Sequence, residues 1–234
     1  MKYYEYKIHS YEMEIYFSAV REKIDTISIL MTAIKSMLIQ KHSQHIDAPN
    51  KMVLCIDKMS RIFFLSEKKI YTLVFPFTVT QTEDDYLIFN SEVVGEIDSQ
   101  VATSVLNIAR SVQEVGLSDL SALIEMEKEN APFQDIWALI RFLMLHEDGY
   151  VRFDHDPERV NGLRHPLNHF DIFYSNKSTF KLGLNEQANL EMFTDMLDRN
   201  SNCHFLNRVR SDTGTALTSR APTVHNGNTG AASQ

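Results

Sequence analysis

The hydrophobic positions near the start of the chain recur every three or four residues. Charged residues such as Glu22, Lys23 and Lys35 fall between them. This spacing places the apolar side chains on one face of a helix, so it predicts a long helix over the first 48 residues. The apolar positions of that face are Tyr16, Val20, Ile24, Ile27, Met31, Ile34 and Leu38.

From residue 51 to residue 96 the pattern changes to short β-branched and aromatic runs separated by polar turns, which predicts strands. Helical spacing returns over residues 98–145, a strand-like and histidine-rich stretch follows over 146–184, and a last helix is predicted over 185–200. The predicted strands are 52–56, 62–65, 70–75, 86–89, 150–154, 169–174 and 179–184. Because helices and strands come in separate blocks, the predicted class is α+β, with a largely antiparallel sheet packed against several helices.

Composition indicates one folded domain followed by a tail. Of the 234 residues, 44% are hydrophobic and 23% are charged, as is usual for a globular domain. We therefore expect a single domain over residues 1–210. Residues 211–234 are dominated by Ser, Thr, Gly, Ala and Asn, and such a segment buries too little apolar surface to offset the entropy of ordering it. A disordered tail is predicted there.

Charge and hydropathy narrow the class of protein. The formal net charge of −8 argues against a broad basic face for non-specific binding of nucleic acid, although a local basic site stays open. No apolar run approaches the ~20 residues that span a bilayer, and the N-terminus lacks the pattern of a signal peptide. Cys55 and Cys203 have no neighbours at metal-ligand spacing, which favours reduced thiols. We expect a cytoplasmic protein without a membrane partner.

One stretch of the chain is unusually rich in groups that can carry chemistry. Four of the nine histidines lie in the 24 residues from 146 to 169, beside several carboxylates and arginines. Side chains alternate between the two faces of a strand. If the last three predicted strands are neighbours, one face carries Arg152, Asp154, His169, Asp171 and Lys181. The opposite face, expected to pack on helices, carries Val151, Phe153, Phe170, Ile172, Phe180 and Leu182.

Three interpretations of the polar face stay open. In the first, it is an ordinary solvated face whose ion pairs contribute little to stability. In the second, His165 and His169 bind a divalent metal together with Asp154 or Asp171, since imidazole and carboxylate ligands suit zinc, manganese or iron. The only cofactor that the sequence indicates is such a metal ion.

The third interpretation needs no metal. His165 and His169 act as general base and general acid, while Arg152, Arg164 and Lys181 hold a phosphate and stabilise the charge of the transition state. Gly-rich phosphate loops, nucleophile elbows and Cys-x-x-Cys pairs are all absent from the sequence, so no specific motif decides between these interpretations.

Two functional hypotheses follow from the same residues. The first is a small phosphodiesterase or ribonuclease-like hydrolase acting on RNA or another phosphodiester. His165 and His169 are its catalytic residues, and Asp154 and Asp171 serve as metal ligands or orienting groups. The alternative is a non-catalytic protein that binds or regulates a protein partner, in which the imidazoles are structural and bond backbone carbonyls.

The segments 147–154, 164–172 and 178–183 resemble an uncharacterised group of bacterial proteins. The resemblance includes the run Arg164-His165-Pro166-Leu167-Asn168-His169, a His-Pro-x-x-His element between two strands near the end of a domain. It covers mainly residues 146–206. It implies a bacterial or phage-related source and an association with toxin–antitoxin or phage-defence genes, and it implies no activity.

Overall fold

Hydrogen-bonded strands form the frame of the α+β domain in a computed structural model that describes residues 2–58, 60–115, 134–175, 178–198 and 200–202. Seven strands form one fully antiparallel sheet in the order β1-β2-β3-β4-β8-β9-β10, and three more form a small antiparallel sheet in the order β5-β6-β7. The strands are β1 (Lys2–Lys7), β2 (Lys51–Ile56), β3 (Arg61–Leu65), β4 (Lys69–Val74), β5 (Thr78–Gln81), β6 (Leu87–Ser91), β7 (Gly95–Glu96), β8 (Val151–His155), β9 (Asn168–Ser175) and β10 (Ser178–Leu184).

The helices that the structure describes are α1 (Met13–Phe17), α2 (Lys23–Ile39), α3 (Ser99–Val115), α4 (Gln134–Leu145) and α5 (Leu190–Leu197). A short 3-10 turn, Ser10–Glu12, precedes α1. No helix within these parts of the chain is long and apolar enough to cross a membrane. The chain divides into two compact units, residues 1–195 and 196–234, and every residue of the candidate site lies in the first.

One row of cross-strand neighbours runs across the whole large sheet and changes character along the way. Its members, in order from β1 to β10, are Tyr6, Met52, Phe64, Tyr71, Arg152, Asp171 and Lys181. The first four are buried in the main hydrophobic core, which also contains the apolar faces of α2, α3 and α4. The last three are charged, so the helix-covered face of the sheet becomes polar at β8.

The opposite face of the sheet has a smaller apolar layer. Phe193 of α5 is fully buried and makes edge contacts with Phe63 and Phe170, at ring-centroid distances of 6.4 and 5.1 Å. Phe153 lies beside Phe170 in the same layer. The predicted packing of this face on a helix is confirmed for these residues. Phe180, expected in the same layer, is instead 50% exposed.

The predicted helix over the first 48 residues is correct only for the part that α1 and α2 occupy. Residues 2–7 form a strand, because this Tyr-rich run pairs with β2 residue by residue. The helical spacing ends at Ile39, and Gln40 already has extended backbone angles. The final helix begins at Leu190, later than predicted, because the Asn189 side chain caps it by accepting the Met192 amide.

The seven predicted strands are all present, with ends shifted by one or two residues. Sequence patterns missed β1, β5 and β7. Residues 116–133 of the predicted helical stretch 98–145, and the predicted disordered tail over residues 211–234, lie outside the described residues.

We predict that replacing Phe193 with alanine destabilises the domain by about 3 to 5 kcal/mol, because it removes a fully buried ring from between Phe63 and Phe170. Leu145→Ala is the matched control, since Leu145 is 73% exposed, and it should change stability by less than about 0.5 kcal/mol. Urea unfolding measures both. Equal effects of the two substitutions would mean that α5 does not pack on the sheet.

Candidate functional site

Three adjacent strands, β8, β9 and β10, bring the predicted polar residues together. The register pairs Arg152 with Asp171 and Asp154 with His169 between β8 and β9, and it pairs Asp171 with Lys181 between β9 and β10. The predicted sharing of one face by these five residues is confirmed. We refer to Arg152, Asp154, His169, Asp171 and Lys181 as the polar network.

Asp171 is the centre of the polar network. Its side chain is 3% exposed, its Oδ1 accepts a hydrogen bond from Lys181 Nζ at 2.6 Å, and its Oδ2 accepts one from Arg152 Nη2. Arg152 Nε also donates to Asp154 Oδ2 at 2.8 Å. Each carboxylate therefore uses Oδ2 to hold Arg152, and Asp171 uses its second oxygen to hold Lys181.

The protonation of Asp171 and Arg152 follows from these contacts. Burial opposes ionisation of Asp171, but the hydrogen bond from Lys181 and the charges of Arg152 and Lys181 outweigh it and hold the pKa of the carboxyl below its ordinary value. Burial likewise opposes the charge on Arg152, but Tyr150, Asp154 and Asp171 outweigh it and raise the pKa of the guanidinium. Both groups are charged at neutral pH.

His169 is fully buried and both of its ring nitrogens are engaged. Nδ1 lies 2.8 Å from the carbonyl oxygen of Pro166, and Nε2 lies 2.8 Å from Lys181 Nζ. A lysine ammonium has donors and no acceptor, so Nε2 accepts from Lys181 and Nδ1 carries the proton that it donates to Pro166. The nearest oxygens of Asp154 and Asp171 are 4.0 Å from Nε2, beyond hydrogen-bonding distance.

The loop between β8 and β9 folds over the network. Its residues Asn161 and His165 form an isolated bridge, and Pro166 lies directly over Gly183 of β10. A Cβ atom on Gly183 would come within 2.9 Å of Pro166 Cγ, so glycine is needed there for the loop to approach the sheet. This close approach places the Pro166 carbonyl where His169 can bond it.

The two remaining predicted residues, His165 and Arg164, have different positions. The ring of His165 contacts the ring of His169 edge to face, with centroids 4.7 Å apart, and its Nε2 is 3.9 Å from Asp156 Oδ2. His165 Nδ1 is buried without a hydrogen-bond partner among the described residues. Arg164 is exposed, and no ion pair of its side chain with a described residue is recorded.

A cleft of about 390 Å³ adjoins the polar network. Arg152 and Asp154 belong both to the network and to the wall of the cleft, which also includes the cationic side chains of Lys68, Lys69 and Arg159. Lys69 donates to the Phe17 carbonyl at 2.8 Å, and burial together with repulsion by Arg152 lowers the pKa of its amine.

His155 also lines the cleft, although it was not among the predicted site residues. Its Nδ1 is 2.8 Å from Oδ1 of Asn168, its cross-strand neighbour on β9. An imidazole fixed through one nitrogen by an amide oxygen leaves its other nitrogen available for proton transfer. The hairpin register of β8 and β9 was the signal that could have found this pair, whereas Lys68 and Lys69 lie too far away in sequence.

The network balances its own charge and also contains a set of metal-binding groups. Two cationic side chains face two carboxylates, so these four side chains can stabilise one another without a bound metal ion or substrate. Ligand atoms of Asp154, His169 and Asp171 also lie within 4.8 Å of one another. His165, predicted as a metal ligand, is not in this set.

No protein family, curated protein or solved structure matches this chain. The resemblance of residues 146–206 to a bacterial group with a His-Pro-x-x-His element stays a prediction. The function has to be argued from the geometry of the site, since a fold class alone does not define an activity.

We predict that Gly183→Ala destabilises the domain by about 1 to 3 kcal/mol, because the new Cβ meets Pro166 Cγ. Pro166→Ala removes Cγ, so in the double variant most of that loss should be recovered. A double-mutant cycle of thermal or urea unfolding measures this coupling. Strictly additive effects would show that Pro166 does not lie against Gly183.

We also predict that Asp171→Asn costs about 2 to 4 kcal/mol of stability, because it leaves Arg152 and Lys181 without the carboxylate that they share. Asp156→Asn is the matched control. Asp156 makes loose ion pairs with Arg159 and His165, at 3.6 and 3.9 Å, and an asparagine oxygen can still accept the Arg159 amide at 3.2 Å, so the change should cost less than about 1 kcal/mol. Comparable losses in urea unfolding would contradict a central role for Asp171.

Proposed function

We propose that the domain is a small phosphodiester hydrolase of ribonuclease-like type. The observation that carries the proposal is that Arg152 and Asp154 line the cleft while belonging to the polar network. A phosphodiester in the cleft would therefore lie beside carboxylates, imidazoles and cations at once. These are the groups that hydrolysis of a phosphodiester requires.

Substrate binding in this proposal falls to the exposed cations of the cleft. The side chains of Lys68 and Arg159 are 66% and 79% exposed, and their pairs with Glu158 and Asp156 are long, at 3.8 and 3.6 Å. Such pairs contribute little and exchange readily for a phosphate. Arg152 also lines the cleft, but its charge is balanced by the two carboxylates that hold it. Phosphate binding was predicted for Arg164, but Arg164 is not part of the cleft wall. In this proposal Arg159 binds the phosphate instead.

In this proposal His155, rather than His169, is the residue that transfers protons. His169 is fully buried with both nitrogens engaged, whereas His155 lines the cleft and is oriented through Nδ1 by Asn168. The pair of His155 and Asn168 has the arrangement of a base fixed by an orienting group. His165, whose Nε2 faces Asp156 of the cleft wall, is the second candidate for this role.

Cleavage of end-labelled single-stranded RNA and DNA tests the proposal. We predict that His155→Gln lowers kcat about 100-fold, as expected for loss of a general base. Lys68→Glu/Arg159→Glu should lower kcat/KM by at least about tenfold, mainly through KM, because it reverses two charges at the cleft. The matched control is Lys7→Glu/Arg110→Glu, which makes the same charge change at exposed positions outside the cleft wall.

Two results would refute the hydrolase. One is wild-type protein that leaves both substrates intact with magnesium, manganese or zinc present. The other is cleavage that persists equally in the cleft, His155 and control variants, since it would then come from a contaminating nuclease.

A non-catalytic partner-binding or regulatory role is the second candidate. It is favoured by three exposed aliphatic residues in the loop between β8 and β9, namely Val160, Leu163 and Leu167, which are 50%, 75% and 39% exposed. The bond from His169 to the Pro166 carbonyl fixes one end of this loop. Absence of cleavage would favour this role. For either role we propose a cytoplasmic bacterial protein, with toxin–antitoxin or phage-defence systems as the biological setting.

A further inference from the structure

We infer that Asp154, His169 and Asp171 form a binding site for one divalent transition-metal ion, and that the Lys181 ammonium is the competitor for that position within the protein. The three residues share a face of β8 and β9, and their ligand atoms lie within 4.8 Å of one another. Unlike a surface cluster of acids, this set includes an imidazole, and two of its members are buried.

The contacts of Lys181 coincide with the contacts that a metal would make. Its ammonium lies 2.6 Å from Asp171 Oδ1 and 2.8 Å from His169 Nε2, so one positive charge is already held by two of the three ligands. The Lys181 side chain is 29% exposed, and its ammonium group is carried on a flexible four-carbon chain. It can swing into solvent and leave both ligand atoms to an ion of higher charge.

Arg152 can stay in place when the ion binds. It bonds Oδ2 of Asp171 and Oδ2 of Asp154, so it orients the two carboxylates without using Asp171 Oδ1. Hydrogen bonds of this kind to ligating carboxylates fix their orientation in metal sites. The network therefore separates into an orienting cation, Arg152, and an exchangeable cation, Lys181.

The orientation of His169 is the one that a metal ligand needs. Metal-bound histidines almost always donate their second ring N–H to a carboxylate, a carbonyl or water. His169 Nδ1 donates to the Pro166 carbonyl at 2.8 Å, which leaves the Nε2 lone pair directed toward the position that Lys181 now fills. The same lone pair that accepts from Lys181 can therefore bind an ion once Lys181 moves away.

The distances require only local adjustment. Ligands about 2.1 Å from a tetrahedral ion lie about 3.4 Å apart. The separations from His169 Nε2 to Asp154 Oδ2 and Asp171 Oδ1 are both 4.0 Å, and all three ligand atoms lie within 4.8 Å of one another, so they must draw together by about 0.6 to 1.4 Å. One imidazole with two carboxylates suits Mn²⁺, Zn²⁺ or Fe²⁺.

Asp154 also lines the cleft, so a bound ion would lie beside a phosphodiester in the cleft. A role of the ion in hydrolysis therefore rests on the proposed function. The binding of the ion is measured without substrate, so it can be tested separately.

Isothermal titration with Mn²⁺ and Zn²⁺ tests the inference. We predict one binding site in the wild-type protein and at least about tenfold tighter binding in Lys181→Met, because the competing charge is removed. Lys7→Met, which removes the same charge at an exposed position outside the cleft wall, should bind as the wild type does. Adding Asp154→Asn to Lys181→Met should weaken binding by at least about tenfold. Circular dichroism confirms that each variant is folded.

Electron paramagnetic resonance of Mn²⁺ on the wild-type protein gives a second readout that needs no variant. Nitrogen coupling from an imidazole ligand is expected. Absence of a single site in the wild type, absence of nitrogen coupling, or equal affinities of Lys181→Met and Lys7→Met would each overturn the inference. An ion that binds as described in a protein without cleavage activity would support this inference and refute the hydrolase, and cleavage without ion binding would do the reverse.

Discussion

The bridge that Asp171 makes between Arg152 and Lys181 is the interaction on which the polar end of the sheet depends. β8, β9 and β10 continue the face that elsewhere packs on the helical core, but they carry charged side chains there. Charges in such a partly buried position are tolerated only when each has a partner. Asp171 supplies one oxygen to each cation, and Asp154 and His169 satisfy the groups that remain.

The same bridge determines which functional roles are open to which residue. His169 is locked between Pro166 and Lys181, so it can orient or bind a cation more readily than it can move a proton. His155 has one nitrogen fixed and lies on the cleft. Functional chemistry therefore divides between a buried cation position in the network and a partly open cleft lined by exposed cations. Arg152 and Asp154 connect the two.

Alternation within strands made much of this site predictable. The apolar and polar faces of β8, β9 and β10 follow directly from the two-residue period. The register of these strands brings Arg152, Asp154, His169, Asp171 and Lys181 together as predicted. The α+β class followed similarly from the separate blocks of helical and strand patterns.

Other features depend on contacts between parts of the chain that are distant in sequence. β4 lies beside β8 although 76 residues separate Val74 from Val151, so nothing local could place Lys69 or Lys68 at the site. The strand at residues 2–7 was missed because a short Tyr-rich run preceded a strong helical period. The role of Pro166 depends on the absence of a side chain at Gly183, which becomes visible only when the loop and the strand are in contact.

The most direct test of the account is the tautomer of His169, measured by long-range ¹H–¹⁵N NMR on protein labelled at histidine and assigned with a His169→Gln variant. We predict that the His169 ring is neutral, with its proton on Nδ1 and none on Nε2. The Nε2 resonance should shift when Zn²⁺ is added. A proton on Nε2 would contradict the account, because Lys181 could not then donate to that nitrogen and no ion could replace Lys181 there.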